Sequence, residues 1–319
     1  MTRPRIPEVV LSAAHERARA RADRDWGTAD RLRGEIEAAG WTIVDRGTDF
    51  ALSPSAPSDV AEDGRVRYGA SRNVPSRLEE PTVGVATVVL IATDWPADLE
   101  RAIDGLRRGF PKGISVVLVA EGPSEEQAAA LESRADVADE EVVWTSERLG
   151  QGAALNAGIR RSTGPIVVLL DTSVEPTGDV VTPLARALDD PSVAVAGGWG
   201  LVSSDLRTFE EVPAGDVDAI EGYCLAFRRA DYASRGPLDE RFRFYRNLDI
   251  WWSLVLRDEG EGEAPRRAVA VDLPATRHEH RGWTSLSEEE RNRQSKRNFY
   301  RIIDRFGSRR DLLLRGATT

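Results

Sequence analysis

Two clusters of the sequence carry side chains suited to chemistry. Asp171, Ser173 and Glu175 repeat at every second position, and His278 and His280 do the same farther along the chain. The first cluster follows an uninterrupted apolar run, Ile166 to Leu170. Such a run reads as a strand buried on both faces, so the three oxygen donors fall just beyond its carboxyl end, where open α/β sheets bind ligands. Upstream, Gly150 and Gly152 allow the main chain to approach a ligand closely, and a short helix carrying Ala153, Ala154, Asn156 and Gly158 ends at Gly164-Pro165. His278 and His280 alternate along what reads as an extended segment and are expected to face one side.

The elements that must position these groups read as alternating strands and helices. Val83 to Ala92 is an apolar run, a helix follows from Ala97 to Arg108, and Ile114 to Ala120 is the second strand. Glu121-Gly122-Pro123 closes that strand ahead of an alanine-rich helix through Arg134, and Glu140 to Trp144 gives a third strand. This order implies right-handed crossovers and a parallel sheet covered on both faces. No GxGxxG accompanies it, which argues against a dinucleotide site. Val193 to Val202 also reads as strand-like. Its Gly197-Gly198-Trp199-Gly200 suggests a bulge or close approach, with Trp199 either packed or serving as a sugar platform. A helix from Ser287 to Phe306 carries Phe299, Ile302, Ile303 and Phe306 on one side and is expected to pack on a sheet edge or an oligomer contact.

Three stretches carry a resemblance. Asn156-Ala157-Gly158 followed by the apolar strand and Asp171-Thr172-Ser173, then Gly236-Pro237-Leu238-Asp239-Glu240-Arg241-Phe242, then His278-Glu279-His280-Arg281-Gly282 are similar to the corresponding segments of family 2 glycosyltransferases. The resemblance covers residues 82 to 306. It implies an α/β chain with the glycosyltransferase A fold, a Rossmann-like and mostly parallel sheet, and an enzyme that moves a sugar from a nucleotide-diphosphate sugar to an acceptor hydroxyl. The roles it implies are Thr93 and Glu121 near the nucleoside, and Gly152 and Asn156 shaping the turn. Asp171 and Thr172 would sit at the pyrophosphate, His280 would join Asp171 at a divalent cation, Mg2+ or Mn2+, and Asp249 would be the base of an inverting reaction. The chain departs from the family pattern twice. Ser173 stands where a second acid is usual, a poorer ligand for a hard cation than a carboxylate. Arg246-Asn247 replaces the acidic pair, and asparagine takes no proton at neutral pH. Asn247 also reads as a helix cap and Asp249 as a residue favouring the positive helix end.

With 319 residues, 41% of them hydrophobic, the chain can bury a sizeable core and is expected to hold more than one unit. Residues 1–52 read as a hairpin of two short helices ending in an extended piece at Trp41, 53–80 as a linker rich in Ser, Pro, Ala and charge, and 81–319 as the main domain. The hairpin resembles the small carboxy-terminal module of cysteinyl-tRNA synthetases. A docking or dimerising role, and so a homo-oligomer, is the expectation there rather than an RNA contact. A formal net charge of −10 disfavours nucleic acid as a partner. The single cysteine, Cys224, forms no internal disulfide and fits a reducing compartment, so the expected location is the cytoplasm. No apolar run is long enough to span a bilayer, so membrane contact would be peripheral. Two rivals stand beside the enzyme: a nucleotide-sugar-binding protein without catalysis, suggested by Ser173 and Asn247, and an RNA- or synthetase-associated interaction protein.

Overall fold

The computed structural model describes residues 6–314 apart from 48, 63, 110 and 135. The chain divides into two units, Met1–Pro57 and Ser58–Thr319. In the first, α1 (Glu8–Ala22) and α2 (Trp26–Ala38) form the hairpin, and Asp25 caps α2 by accepting the Thr28 N–H at 3.1 Å. β1 (Trp41–Arg46) and β2 (Asp49–Pro54) add an antiparallel ribbon. Val10, Ala14, Ile36, Trp41 and Ile43 are its buried core. The buried Arg17 guanidinium holds both carboxylate oxygens of Asp45, at 2.6 and 3.2 Å. The second strand of this ribbon is an addition to the sequence reading, which ended the module at residue 52.

The second unit begins with β3 (Val60–Glu62) and β4 (Arg65–Tyr68). It continues through β5 (Ala86–Ala92), α3 (Pro96–Gly109), β6 (Ile114–Ala120), α4 (Glu125–Glu132), β7 (Glu140–Thr145), α5 (Gln151–Ile159) and β8 (Ile166–Leu170). Next come β9 (Val174–Pro176), α6 (Val181–Asp189), β10 (Val193–Gly197), β11 (Gly200–Val202), β12 (Glu210–Val212), β13 (Gly215–Val217), β14 (Ala219–Ile220) and β15 (Cys224–Arg228). The last elements that concern the site are α7 (Arg229–Arg235), α8 (Leu248–Arg257), β16 (Arg267–Ala270), β17 (Ala275–Arg277), α9 (Arg281–Thr284) and α10 (Glu288–Phe306).

Ten strands form one sheet in the order β13-β16-β10-β15-β8-β5-β6-β7-β4-β3. Its centre, β8-β5-β6-β7, is parallel, as the βα alternation predicts. β15 enters antiparallel between β8 and β10, so the sheet is mixed on that side. The two faces carry separate buried clusters, one including α5 and α8 and the other including α3 and α6. α5 lies close on the sheet because Gly158 has no Cβ: one placed there would meet Val89 Cγ1 at 2.4 Å. Among the described residues, no helix is long and apolar enough to cross a membrane.

Residues 58–80 are not a linker. β4 pairs in parallel with β7, Arg67 opposite Trp144 and Tyr68 opposite Thr145, and β3 extends the edge. Asp59 Oδ1 accepts the Gly69 N–H at 2.7 Å and the Asn73 amide at 2.9 Å. Farther on, arginines read the main-chain carbonyls. Arg160 donates to Val74 O at 2.8 Å, Arg161 to Pro75 O at 2.8 Å, and the buried Arg229 to the carbonyls of Arg77, Leu78 and Glu80. A segment held largely by its carbonyl oxygens, with single side chains such as Val74 reaching the core, shows no apolar periodicity in its sequence.

The same contacts give a test. Arg229→Met takes the donor from the Leu78 and Glu80 carbonyls and one of two donors from those of Arg77 and Thr163, which keep the N–H groups of Glu80 and Val83. It should destabilise the chain by about 3 kcal/mol, read from urea unfolding, and open residues 74–80 to limited proteolysis. A protected segment in a destabilised variant would show that something else anchors it.

Candidate active site

A cavity of about 720 Å³ opens where β5, β6 and β8 end, a volume suited to a ligand with several polar groups. Across the sheet edge its wall presents Glu121 after β6, Thr93 after β5, Asp171 and Thr172 after β8, then Glu221 and Tyr223 just ahead of β15. The roof is the segment from Arg243 to Asp249 together with His280, Arg281 and the apolar face of α10 through Phe299 and Ile302. The apolar face of α10 therefore lies on the cavity and not on a sheet edge. Its Asn298 amide donates to Phe244 O at 2.9 Å and Arg246 O at 2.8 Å, pinning the roof from behind.

Asp171 has both carboxylate oxygens engaged. Its Oδ1 accepts both the N–H of Ser173, at 2.8 Å, and the Ser173 hydroxyl, and its Oδ2 lies 3.3 Å from His280 Nε2. Burial alone would raise the Asp171 carboxyl, but the bond and charge of His280, joined by Ser173, outweigh it and hold the group below the ordinary carboxylate value. His280 responds in the opposite sense. Burial opposes its protonation, and Asp171 more than compensates, raising the imidazole above its usual value. Tyr245 stacks on the His280 ring at 4.1 Å between centroids, with Tyr223 edge-on at 6.3 Å. His278 does not share that face. The ribbon of β17 and β9 ends at Arg277, so His278 pairs with Glu175 at 2.9 Å, while His280 stands at the N-cap position of α9 and turns to Asp171.

Of the residues singled out by sequence, Thr93, Glu121, Asp171, Thr172, Asp249 and His280 line the cavity, whereas Gly152 and Asn156 do not. Gly152 is a packing glycine: a Cβ there would sit 2.7 Å from Asp239 O, and its N–H donates to Phe242 O at 2.9 Å. Asn156 is buried in a closed network. Its amide donates to Leu238 O at 2.9 Å and Glu240 Oε1 at 3.1 Å, and its Oδ1 accepts from the Tyr232 hydroxyl and the Leu238 N–H, both at 3.0 Å. Glycine and asparagine in this motif therefore lock α5 to the 238–242 segment. Glu121 accepts the Gly150 N–H at the start of α5 while still facing the cavity, and burial raises its carboxyl despite that bond. Trp199 is packed, edge-on to Tyr223 at 5.6 Å with Arg277 over it at 5.1 Å.

The two departures from the family pattern have structural uses. Ser173 hydrogen-bonds the acid it accompanies. Asn247 adopts left-handed backbone, φ 68°, and its amide donates to Ser295 O of α10 at 3.2 Å, so it occupies the N-cap position of α8 without capping it. Asp249 Oδ2 accepts the Gly222 N–H at 2.8 Å and Oδ1 the Ile250 N–H at 2.9 Å; burial raises its carboxyl against these bonds. Sequence reasoning passed over Glu221 and Arg277. The signal available was the acid directly before Gly222.

No cluster of three or more His, Cys, Asp or Glu suited to a metal ion occurs among the described residues. The carboxylate–imidazole pair on the cavity wall is Asp171 Oδ2 and His280 Nε2, and His280 Nδ1 is buried with no hydrogen-bond partner. That pair offers a hard cation one carboxylate and one imidazole, leaving the remaining positions to a ligand and water.

Known proteins resemble this chain over much of its length. The chain matches the Glycosyl transferase family 2 model over residues 87–244, a span that stops short of Asn247 and Asp249. The amylovoran biosynthesis glycosyltransferase AmsE of Erwinia amylovora is 35% identical over 225 residues, 63% of this chain and 81% of that protein. Cysteine-tRNA ligase 1 of Burkholderia lata is 50% identical over 40 residues, 12% of this chain and 8% of the ligase, so the chain spans under a tenth of that relative's length. Among solved structures, GalNAc-T7 with UDP, GalNAc and Mn2+ has a TM-score of 0.55 at 15% identity, covering 70% of this chain and 48% of that one. That likeness is one of fold.

The Asp171–His280 pair should leave a mark on stability. A raised histidine stabilises fully below its unfolded value of about 6.5 and loses that contribution as pH rises through its folded value. The depressed aspartate acts above its own unfolded value and loses its contribution only in acid. His280→Gln should therefore lower Tm more at about pH 5.5 than at about pH 9, measured with chelator present. An equal deficit at both would separate the histidine's charge from folding.

Proposed function

This chain belongs to glycosyl transferase family 2, and from that premise we propose that it moves a sugar from a nucleoside diphosphate donor to an acceptor hydroxyl, with inversion. The order of groups along the sheet edge supports the reading. With strands about 4.8 Å apart, Glu121 and Asp171 stand about 10 Å from each other across β6, β5 and β8. Thr93 and Glu121 would face the nucleoside, whose N–H and hydroxyl groups donate to a carboxylate. Asp171, Thr172 and His280 would face the diphosphate. The sugar and the acceptor would then lie toward β15 and the N-terminus of α8, where Asp249 stands.

A divalent cation, Mg2+ or Mn2+, would be held by Asp171 and His280. When bound it would neutralise charge on the departing diphosphate. The chain's own contribution is positional. His280 also keeps the roof segment over the site through its stack with Tyr245, and Phe244, Tyr245, Phe299 and Ile302 would limit the access of bulk water. Asp249, the base expected from the sequence, already receives main-chain N–H groups at both oxygens, so its role is to hold the Glu221–Gly222 turn as well as to charge that end of the cavity. The single buried thiol of Cys224 is consistent with a reducing, cytoplasmic setting.

The observation that carries the proposal is the meeting of Asp171, at the end of the central strand, with His280, brought from a distant segment, on the wall of one cavity. Titration with UDP, GDP and their sugars, with and without Mn2+, tests it. Asp171→Asn should weaken donor binding or slow donor consumption by at least about a hundredfold. Unchanged binding and turnover would remove Asp171 from the site. A second reading, donor binding without transfer, is favoured by the full occupation of Asp249, and donor binding with no consumption of any kind would select it.

A further inference from the structure

Resting on the donor reading above, we propose that Glu221 is the catalytic base, taking the proton from the acceptor hydroxyl while Asp249 positions it. Glu221 lies between β14 and β15 on the cavity wall. β15 pairs with β8, Cys224 opposite Leu170, and the Asp171 N–H donates to Tyr223 O at 2.9 Å. Glu221 is thus at the strand next to Asp171, on the side away from Glu121, which is the acceptor side of a donor laid along the sheet edge.

Its main chain is fixed at two points. The Glu221 N–H donates to Trp199 O at 2.8 Å, and the neighbouring Gly222 N–H donates to Asp249 Oδ2 at 2.8 Å. Its carboxylate is fixed at one. Arg277 Nη1 reaches Glu221 Oε2 at 3.1 Å while the same guanidinium holds both oxygens of Glu211, at 2.9 and 3.0 Å. Among the described residues no hydrogen bond reaches Oε1. The other carboxylates of the wall do not combine these properties. Asp171, Asp249, Glu211 and Asp98 have both oxygens engaged. Asp94 and Glu121 lie at the β5 and β6 ends, where the nucleoside belongs. The groups facing Glu221 are Asp249 of α8, Glu211 of β12, Arg277 of β17, Arg246 ahead of α8, and Tyr223 beside it. Burial first, then Asp249 and Glu211, raise its carboxyl to about 7 against the pull of Arg277 and Arg246, close to the operating pH that suits a proton acceptor.

In the step itself the acceptor oxygen forms its bond to the anomeric carbon as the carbon–oxygen bond to the diphosphate breaks. The bonding pair departs with the diphosphate, and the acceptor's proton passes to Glu221 Oε1. Water is an acceptor of the same kind, so donor hydrolysis reports the step without an identified acceptor.

The test follows hydrolysis of UDP-glucose, UDP-GalNAc and GDP-mannose across pH in the full chain, with UDP and GDP binding measured in parallel. Wild type should gain rate with rising pH through a limb near 7. Glu221→Gln should lose that limb and slow hydrolysis by about a hundredfold or more, with unchanged UDP or GDP affinity, and Glu221→Asp should restore a limb. If Glu221→Gln keeps the wild-type rate and limb, the assignment is overturned, and loss of the limb in Asp249→Asn would pass the role to Asp249. Binding of UDP or GDP without hydrolysis at any pH overturns the base while leaving the donor site standing. Absence of any binding by wild type removes the donor reading and the base with it.

Discussion

A carboxylate held at the end of a buried parallel strand must be compensated, and that requirement at Asp171 shapes the whole site. An uncompensated charge in such a place costs several kcal/mol, by order of magnitude. Ser173 supplies two hydrogen bonds to one oxygen, and His280 faces the other. Bringing His280 there needs the short ribbon of β9 and β17, whose register sets Arg277 opposite Val174. Once in place, the imidazole becomes the surface on which Tyr245 stacks. One electrostatic demand at the sheet edge therefore recruits the chain that roofs the cavity.

The substitutions at the two positions where the family carries acids are consistent with that logic. A second carboxylate in place of Ser173 would add a like charge beside Asp171, and serine removes this repulsion while donating. At Asn247 the backbone is left-handed, a conformation asparagine tolerates well, and the amide ties the start of α8 to α10. Acidity lost at these positions is found elsewhere on the wall, in Glu221 and Asp249.

The regular elements were legible because burial on two faces forces apolar runs. Ile114–Ala120 and Ile166–Leu170 are bounded in the structure as the sequence suggests. Most of the residues singled out from the sequence line the cavity, since the carboxyl ends of such strands are where ligands bind. What escaped was held by groups with no periodic signature. Arg229 and Arg160 bind carbonyls, which every residue has, so the stretch from 58 to 80 looked unstructured. Gly152 and Asn156, expected from the resemblance to shape the turn at the donor site, serve a tight helix–segment junction that their types fit equally well. Glu221 was invisible as a functional group because its neighbours, Asp249, Glu211 and Arg277, come from three separate elements.

The pinning of the roof by Asn298 has a consequence for how the protein comes into being. The sheet and its carboxyl-end groups are encoded ahead of α10, and domains fold as they leave the ribosome. The edge bearing Asp171 can therefore assemble first, but Phe244 and Arg246 receive their hydrogen bonds only after Asn298 has been synthesised. Until then the cavity lacks the part of its wall that Phe299 and Ile302 of α10 supply.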